Sequence, residues 1–393
     1  MAKKGKTIET VQGSDEINDV STELIKQLNK EWGVRVAYNL SSDEAPTTIK
    51  RWISTGSLQL DYAISNRRNG GVPEGRLIEM FGPPSIGKSH IAYQIARATQ
   101  QLGGLVVYID TENATSVSHL ADMGIDVSKR FVYCDEHCTE NVFKIMESTI
   151  TKAKTIISKD VPILVVWDSV AATSPKQELE GDYDKDTIGL NARVISKGMR
   201  KIIGVIGQNN VTLLCLNQIR TKIGFVLGDA SMVPGGKSIP FHSSVQVKLT
   251  GGSLIKEGDV VKGIHVTATI VKNKVAKPWK KVVFDILFGK GITEGEYLLD
   301  VLRKRCEADE PVTKNDKTYV ISGAQQWKTF TLIDKDGVVQ LEKKFTKNQF
   351  GDLLNDPDVG PHLLDMVEIV LTGNIETDDS EAITTPSDDG ADE

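Results

Sequence analysis

Residues 76–91 read Arg-Leu-Ile-Glu-Met-Phe-Gly-Pro-Pro-Ser-Ile-Gly-Lys-Ser-His-Ile, and this stretch decides the fold. A strand-like apolar run ends at Phe81, Gly82-x-x-x-x-Gly87-Lys88-Ser89 follows directly, and a helical run begins behind it at His90. That is the G-x-x-x-x-G-K-[ST] phosphate loop in its strand–loop–helix setting. Such a loop wraps a β-phosphate with inward-facing backbone N–H groups, so little side-chain bulk fits, and Gly82 and Gly87 permit the turns. Lys88 is placed to reach the β- and γ-phosphates and Ser89 to ligate Mg²⁺, with partial positive charge added by the helix N-terminus. The expected nucleotide contacts are therefore Gly82, Pro83, Pro84, Ser85, Ile86, Gly87, Lys88, Ser89 and His90. The cofactors they imply are ATP and Mg²⁺.

Three further apolar runs end in polar residues. Leu105–Ile109 leads to Asp110-Thr111-Glu112, Ile163–Trp167 to Asp168-Ser169, and Val211–Leu216 to Asn217-Gln218. In an α/β sheet, ligands bind beyond the carboxyl ends of the strands, so these residues are predicted to share one ligand edge. Asp168, about 80 residues after the phosphate loop, fits a Walker B carboxylate that holds Mg²⁺ directly or through water. Glu112 is then free to act as the base that activates water, and Gln218 can sense the γ-phosphate. The alternatives are a solvated or salt-bridged Glu112 and a locally bonded amide at Gln218.

The loop that starts after Gln218, residues 219–237, is rich in Gly and basic residues and reads as a mobile binding loop. Lys272 and Lys274 stand two residues apart near a strand end, so they are expected to point the same way. N-terminal to the core, a helical pattern (Leu24, Ile25, Leu28, Trp32) and a strand-like Val34–Tyr38 are too small for a core of their own. They need a surface to dock on, such as a neighbouring subunit.

The chain has 393 residues, 39% hydrophobic and 25% charged, which suits an ordinary multi-domain globular protein. Lysines near the N-terminus have no apolar stretch behind them, so neither a signal peptide nor a membrane span is expected. Four cysteines without zinc spacing point to a reduced intracellular compartment, the cytoplasm. The net charge of −6 hides an asymmetry: residues 373–393 carry eight carboxylates and no Lys or Arg. With no apolar periodicity, that tail is expected to be disordered.

Phe81–Ser89, Ile109–Glu112, Val165–Glu180, Asn217–Gly224 and Ile270–Pro278 together resemble the bacterial RecA recombinase family, in register from about residue 51 to 295. The resemblance implies an α/β fold: a RecA-like P-loop ATPase core with a mostly parallel twisted sheet, a small N-terminal helix–strand element and a small α/β C-terminal domain. The domains implied are a helix–strand oligomerisation element and linker (1–50), the ATPase core (51–291), the C-terminal domain (292–372) and the acidic tail (373–393). The activity implied is that of a DNA-dependent ATPase. It would form helical filaments on single-stranded DNA and exchange strands with double-stranded DNA, helped by single-stranded DNA-binding protein and loading factors.

By the same resemblance, residues 181–188 and 219–237 are DNA loops. Arg193, Arg200, Arg220 and Lys222 would contact phosphates along with the backbone at Gly224, Gly235 and Gly236, and Phe225 and Leu227 would wedge between or stack on bases. Lys272 and Lys274 would reach the γ-phosphate held by a neighbouring subunit, Phe241 would relay the nucleotide state, and Ser116 and His119 would flank the base.

Departures from the family pattern are His119 for a stacking Tyr, Ser116 for a base-contacting Asp, and Pro83-Pro84 and Ile86 in the phosphate loop. Pro240 precedes Phe241 where a Lys is usual, and Asn66-Arg67-Arg68-Asn69 is an extra basic insertion. They suit a divergent or phage-encoded member. A hexameric ring helicase and a non-recombinogenic single-stranded DNA-binding regulator are the competing readings. Truncation after Gly373 is expected to strengthen DNA binding and lower the Mg²⁺ demand; unchanged binding isotherms across Mg²⁺ concentrations would contradict a competitive role for the tail.

Overall fold

The computed structural model describes residues 14–40, 45, 47–158, 160–182, 189–221, 231–232, 235–307, 312–323 and 326–373. The acidic tail beyond Gly373, residues 183–188 and residues 222–230 lie outside the described residues. The chain divides into a unit ending at Arg51 and a unit beginning at Trp52.

In the first unit a helix runs over Ser14–Trp32, and Gly33, with φ at 64°, turns the chain out of it. Val34–Tyr38 was expected to be a strand but pairs with no strand among the described residues. Its backbone is tied back to the helix by one side chain. Asn29 accepts from the N–H groups of Val36 and Ala37 (2.7 and 2.8 Å) and donates to the Ala37 carbonyl (3.0 Å). An extended segment without a neighbour to pair with cannot form a ladder.

The second unit opens with an antiparallel pair, β1 (Trp52–Ile53) and β2 (Val72–Pro73), around the helix Leu58–Ser65. The main-sheet strands that follow are β3 (Leu77–Gly82), β4 (Leu105–Asp110), β5 (Phe131–Asp135), β6 (Ile163–Asp168) and β7 (Val211–Gln218). A short pair, β8 (Arg220–Thr221) and β9 (Ser231–Met232), stands apart. Next come β10 (Val245–Glu257), β11 (Val260–Asn273), β12 (Lys281–Leu287) and β13 (Gly291–Thr293). Nine of these form one sheet in the order β13-β12-β11-β10-β3-β7-β6-β4-β5. From β10 to β5 every neighbour is parallel, while β10 to β13 is an antiparallel meander.

Parallel pairing requires crossovers, and helices supply them: Lys88–Gln101 between β3 and β4, Thr139–Ile156 between β5 and β6, Leu190–Gln208 between β6 and β7. The central strands are buried on both faces, which is why they read as continuous apolar runs rather than alternating ones. Ile91, Ile95 and Ala96 of the first crossover pack on one face of the sheet. Val142, Met146 and Ile150 pack with Ile195, Met199 and Ile202 on the other.

The C-terminal part is a four-stranded antiparallel sheet, β14 (Val312–Lys314), β15 (Lys317–Ser322), β16 (Trp327–Ile333) and β17 (Val339–Thr346). Helices Gly295–Glu307 and Gly360–Thr372 pack on it through Leu298, Leu302, Leu363 and Met366, and Tyr62 from the helix Leu58–Ser65 joins the same core. The extra basic insertion serves this junction. Arg68 pairs with Asp365 at 2.7 Å, and Asn66 accepts from Lys280 at 2.6 Å.

Two glycines of the helix Leu190–Gln208 should respond oppositely to alanine. A Cβ on Gly198 would fall 2.3 Å from the Phe143 ring, whereas one on Gly204 would meet nothing within 4 Å. Gly198→Ala is expected to destabilise by about 1–3 kcal/mol through overpacking, and Gly204→Ala to stabilise by up to about 1 kcal/mol through helix propensity. Thermal or denaturant melts of the two variants check both signs.

Candidate functional site

The phosphate loop starts where β3 ends. A Cβ on Gly82 would lie 2.5 Å from the Leu249 carbonyl oxygen, a backbone atom that cannot yield, so only glycine fits. Ser85 (φ 58°) and Gly87 (φ 95°) carry the loop through positive φ into the helix that begins at Lys88. Lys88 is folded into the loop, its ammonium donating to the carbonyls of Gly82 (3.1 Å) and Pro83 (2.6 Å). Burial lowers its pKa, opposed by the carboxylates of Asp168 and Glu112.

Register fixes what stands beside the loop. Gly82 lies opposite Gln218 across β3 and β7, and Asp110 opposite Asp168 across β4 and β6. Asp168 accepts from the buried Tyr108 hydroxyl at 2.5 Å. Burial raises the pKa of Asp168, opposed by hydrogen bonds from Tyr108 and Ser89. Ser89 and Asp168 together offer hydroxyl and carboxylate oxygens, the hard donors that suit Mg²⁺. The Glu112 carboxylate accepts from Gln218 Nε2 at 2.9 Å and from the Ser169 hydroxyl. Thr111 closes the gap between the strands: its hydroxyl donates to the Ser169 carbonyl at 2.7 Å and accepts from the Ser169 N–H at 2.8 Å. Lys88, Ser89, Glu112, Asp168 and Gln218 are thus brought together.

On the other flank, Ser116 caps the helix Val117–Asp122, its hydroxyl accepting from the His119 N–H at 3.5 Å. The His119 ring lies edge-on to Tyr93 (5.7 Å) and 6.4 Å from His90. Burial, with His119 nearby, pushes the His90 pKa down to about 4, so its imidazole is neutral near pH 7. Cys134, His137 and Cys138 make no metal cluster; His137 Nδ1 lies 2.9 Å from the Thr111 carbonyl oxygen instead.

Lys272 and Lys274 are elsewhere. Lys272 donates to the carbonyls of Pro240 (2.6 Å) and Phe241 (3.0 Å). Burial, and then the charges of Lys274, Arg200 and Lys272, hold the His242 pKa down. Phe241 is 74% exposed, with its ring edge-on to His242 at 5.2 Å, and is no core residue. Arg193 donates to the Gly189 carbonyl at 3.5 Å and Arg200 to the Ser196 hydroxyl at 2.9 Å, both from the helix Leu190–Gln208.

The second basic loop has an ordered base. Arg220 pairs with Met232 and Thr221 with Ser231 in the β8–β9 ladder, where a structureless stretch was expected. Gly235 and Gly236, both at positive φ, pack so closely on Ile195 and Ala192 that a Cβ on either would approach to 3.0 Å. Lys222, Gly224, Phe225 and Leu227 lie outside the described residues. Sequence reasoning missed Tyr108, Thr111 and Ser169. Ser169 and Thr111 were flagged only by adjacency to Asp168 and Glu112, and Tyr108 is hidden within an apolar run.

The RecA N-terminal domain family matches residues 20–293. Curated relatives agree. A "Protein RecA" from Wolinella succinogenes is 38% identical over 277 residues, 70% of this chain and 75% of that protein. One from Citrifermentans bemidjiense is 36% identical over 281 residues, 72% and 80% of the two chains. A third, from Helicobacter hepaticus, is 38% identical over 298 residues, 74% and 83%.

The chain belongs to the RecA family. It is accordingly a nucleotide-using, DNA-dependent ATPase of the recombinase kind, acting in DNA recombination and repair, with the DNA binding and filament formation general to that family. The ring-helicase and non-recombinogenic regulator readings are not favoured.

Gly82→Ala is expected to displace the phosphate loop at a cost of about 1–3 kcal/mol and to weaken nucleotide binding. Titration with a fluorescent ATP analogue checks this; unchanged affinity would mean that the path of the loop does not govern binding.

Proposed function

We propose that this chain hydrolyses ATP at the edge formed by Lys88, Ser89, Glu112, Asp168 and Gln218, in a site completed by Lys272 and Lys274 of the next subunit in a filament. The observation that carries this is a division of charge. The acidic and phosphate-loop groups converge on one edge of the sheet, while Lys272 is engaged with Pro240 and Phe241. Phosphoryl transfer needs a positioned water, a base and cations that neutralise developing charge. Glu112 is the base and Lys88 the resident cation. Ser89 and Asp168 would hold Mg²⁺, which would supply positive charge against that developing on the phosphates.

Gln218 is the sensor. It bonds to Glu112, and a γ-phosphate that competes for its amide releases the carboxylate toward water while pulling on the loop that begins at Ile219. His119 and Ser116 flank the base, and Phe241 carries the nucleotide state to the neighbour. Arg193, Arg200, Arg220 and Lys222, with the glycines of the second loop, hold single-stranded DNA by its phosphates, and Phe225 and Leu227 meet the bases. Contacts of this kind read charge rather than sequence, as pairing of any homologous strand requires. No described helix is long and apolar enough to cross a membrane. The proposed compartment is the cytoplasm, with single-stranded DNA-binding protein and loading factors as helpers.

Glu112→Gln replaces the carboxylate by a carboxamide of the same size and so removes the base. It is expected to lower turnover by about 100-fold or more while ATP-bound protein stays on single-stranded DNA. Normal turnover in this variant would overturn the assignment of Glu112.

A further inference from the structure

Tyr108 stands in the middle of β4, fully buried between the rings of Tyr93 (centroids 5.4 Å apart) and Phe131 (6.2 Å, stacked). Such a strand position facing a crossover helix needs only an apolar ring. A hydroxyl there costs desolvation unless it finds a partner. Its partner is Oδ2 of Asp168, 2.5 Å away on the adjacent strand. In this contact the phenol hydroxyl donates and the carboxylate oxygen accepts.

The main chain of Asp168 is already fixed, its carbonyl accepting from the Thr111 N–H at 2.7 Å. What remains free is rotation of the carboxylate itself. The carboxylates of Glu112 and Asp110 repel it, while the hydroxyls of Tyr108 and Ser89 and the Lys88 ammonium attract it. Ser89 is also needed for the metal and Lys88 for the phosphates, which leaves Tyr108 as the anchor that bound nucleotide does not disturb.

We propose that Tyr108 is a positioning residue for metal binding: its hydroxyl holds Oδ2 of Asp168 and so presents the other carboxylate oxygen to the divalent cation that accompanies ATP. This rests on the reading of Asp168 as the metal carboxylate. Groups that orient a metal ligand from behind act on metal affinity without touching the metal. Tyr108 does so from the hydrophobic core, through a bond between two strands.

The test compares Tyr108→Phe and Asp168→Asn in the full-length protein loaded with a non-hydrolysable ATP analogue, with Mn²⁺ binding followed by electron paramagnetic resonance. Tyr108→Phe keeps the buried ring and loses only the donor. It is expected to weaken Mn²⁺ binding about tenfold, with analogue affinity in EDTA unchanged. In steady state the Mg²⁺ concentration for half-maximal hydrolysis should rise by the same factor, and kcat should recover at saturating Mg²⁺. A mere packing role predicts a lower melting temperature with Mn²⁺ binding unmoved, and that result overturns the proposal. If Asp168→Asn weakens Mn²⁺ binding and Tyr108→Phe does not, the inference fails while the metal site stands. If neither variant changes Mn²⁺ binding, the assignment of Asp168 fails and takes the inference with it.

Discussion

The Gly82 carbonyl is the point on which the molecule turns. It accepts from the Ile219 N–H at 3.2 Å and from Lys88 at 3.1 Å. One backbone oxygen therefore joins the first residue of the phosphate loop, its lysine, and the first residue of the loop proposed to hold DNA. The join follows from parallel pairing of β3 with β7, in which Phe81 faces Asn217 and Gly82 faces Gln218. Because both strands are buried on both faces, neither end can shift without dragging the core. Lys88 and Ile219 therefore share one acceptor, with no other residue between them.

The rest of the ligand edge is held just as tightly by side chains that do no chemistry. Asn217 is buried and donates to the buried Glu79 carboxylate at 3.3 Å, which also accepts from Gln246 at 2.7 Å. Burial raises the Glu79 pKa, opposed first by those amides and then by the nearby Lys272 charge. The strand that ends in Gln218 is thereby connected to the edge where Lys272, Phe241 and His242 gather. Two ends of one sheet thus carry complementary halves of a charge arrangement, and a polar network under β3 lies between them.

The central strands were legible because burial on both faces demands unbroken Val, Leu and Ile, and each run stops at the polar residue that the site uses. β5 was missed: as an edge strand it is largely exposed, so Phe131–Asp135 alternates weakly and ends in Cys and Asp. β17 was missed for a similar reason, since Val339–Thr346 is mostly Lys, Glu and Gln on its open face. At Val34–Tyr38 the composition favoured a strand, but a strand is a property of a pair and it pairs with no strand among the described residues. The phosphate loop, Glu112, Asp168 and Gln218 could be read from position relative to strand ends. The bond from Gln218 to Glu112 and that from Tyr108 to Asp168 could not, because each depends on which strands lie side by side. The insertion at Asn66–Asn69 looked like a spare basic patch and proves to brace the C-terminal helix.

The central claim is that no single subunit owns a complete hydrolytic site. The most direct measurement is steady-state ATP hydrolysis with and without single-stranded DNA across a range of protein concentrations. The account predicts turnover that rises steeply with protein concentration and is stimulated by DNA, because assembly brings Lys272 and Lys274 to a neighbour's nucleotide. Turnover per subunit that is indifferent to both DNA and concentration would show a self-contained ATPase and contradict it.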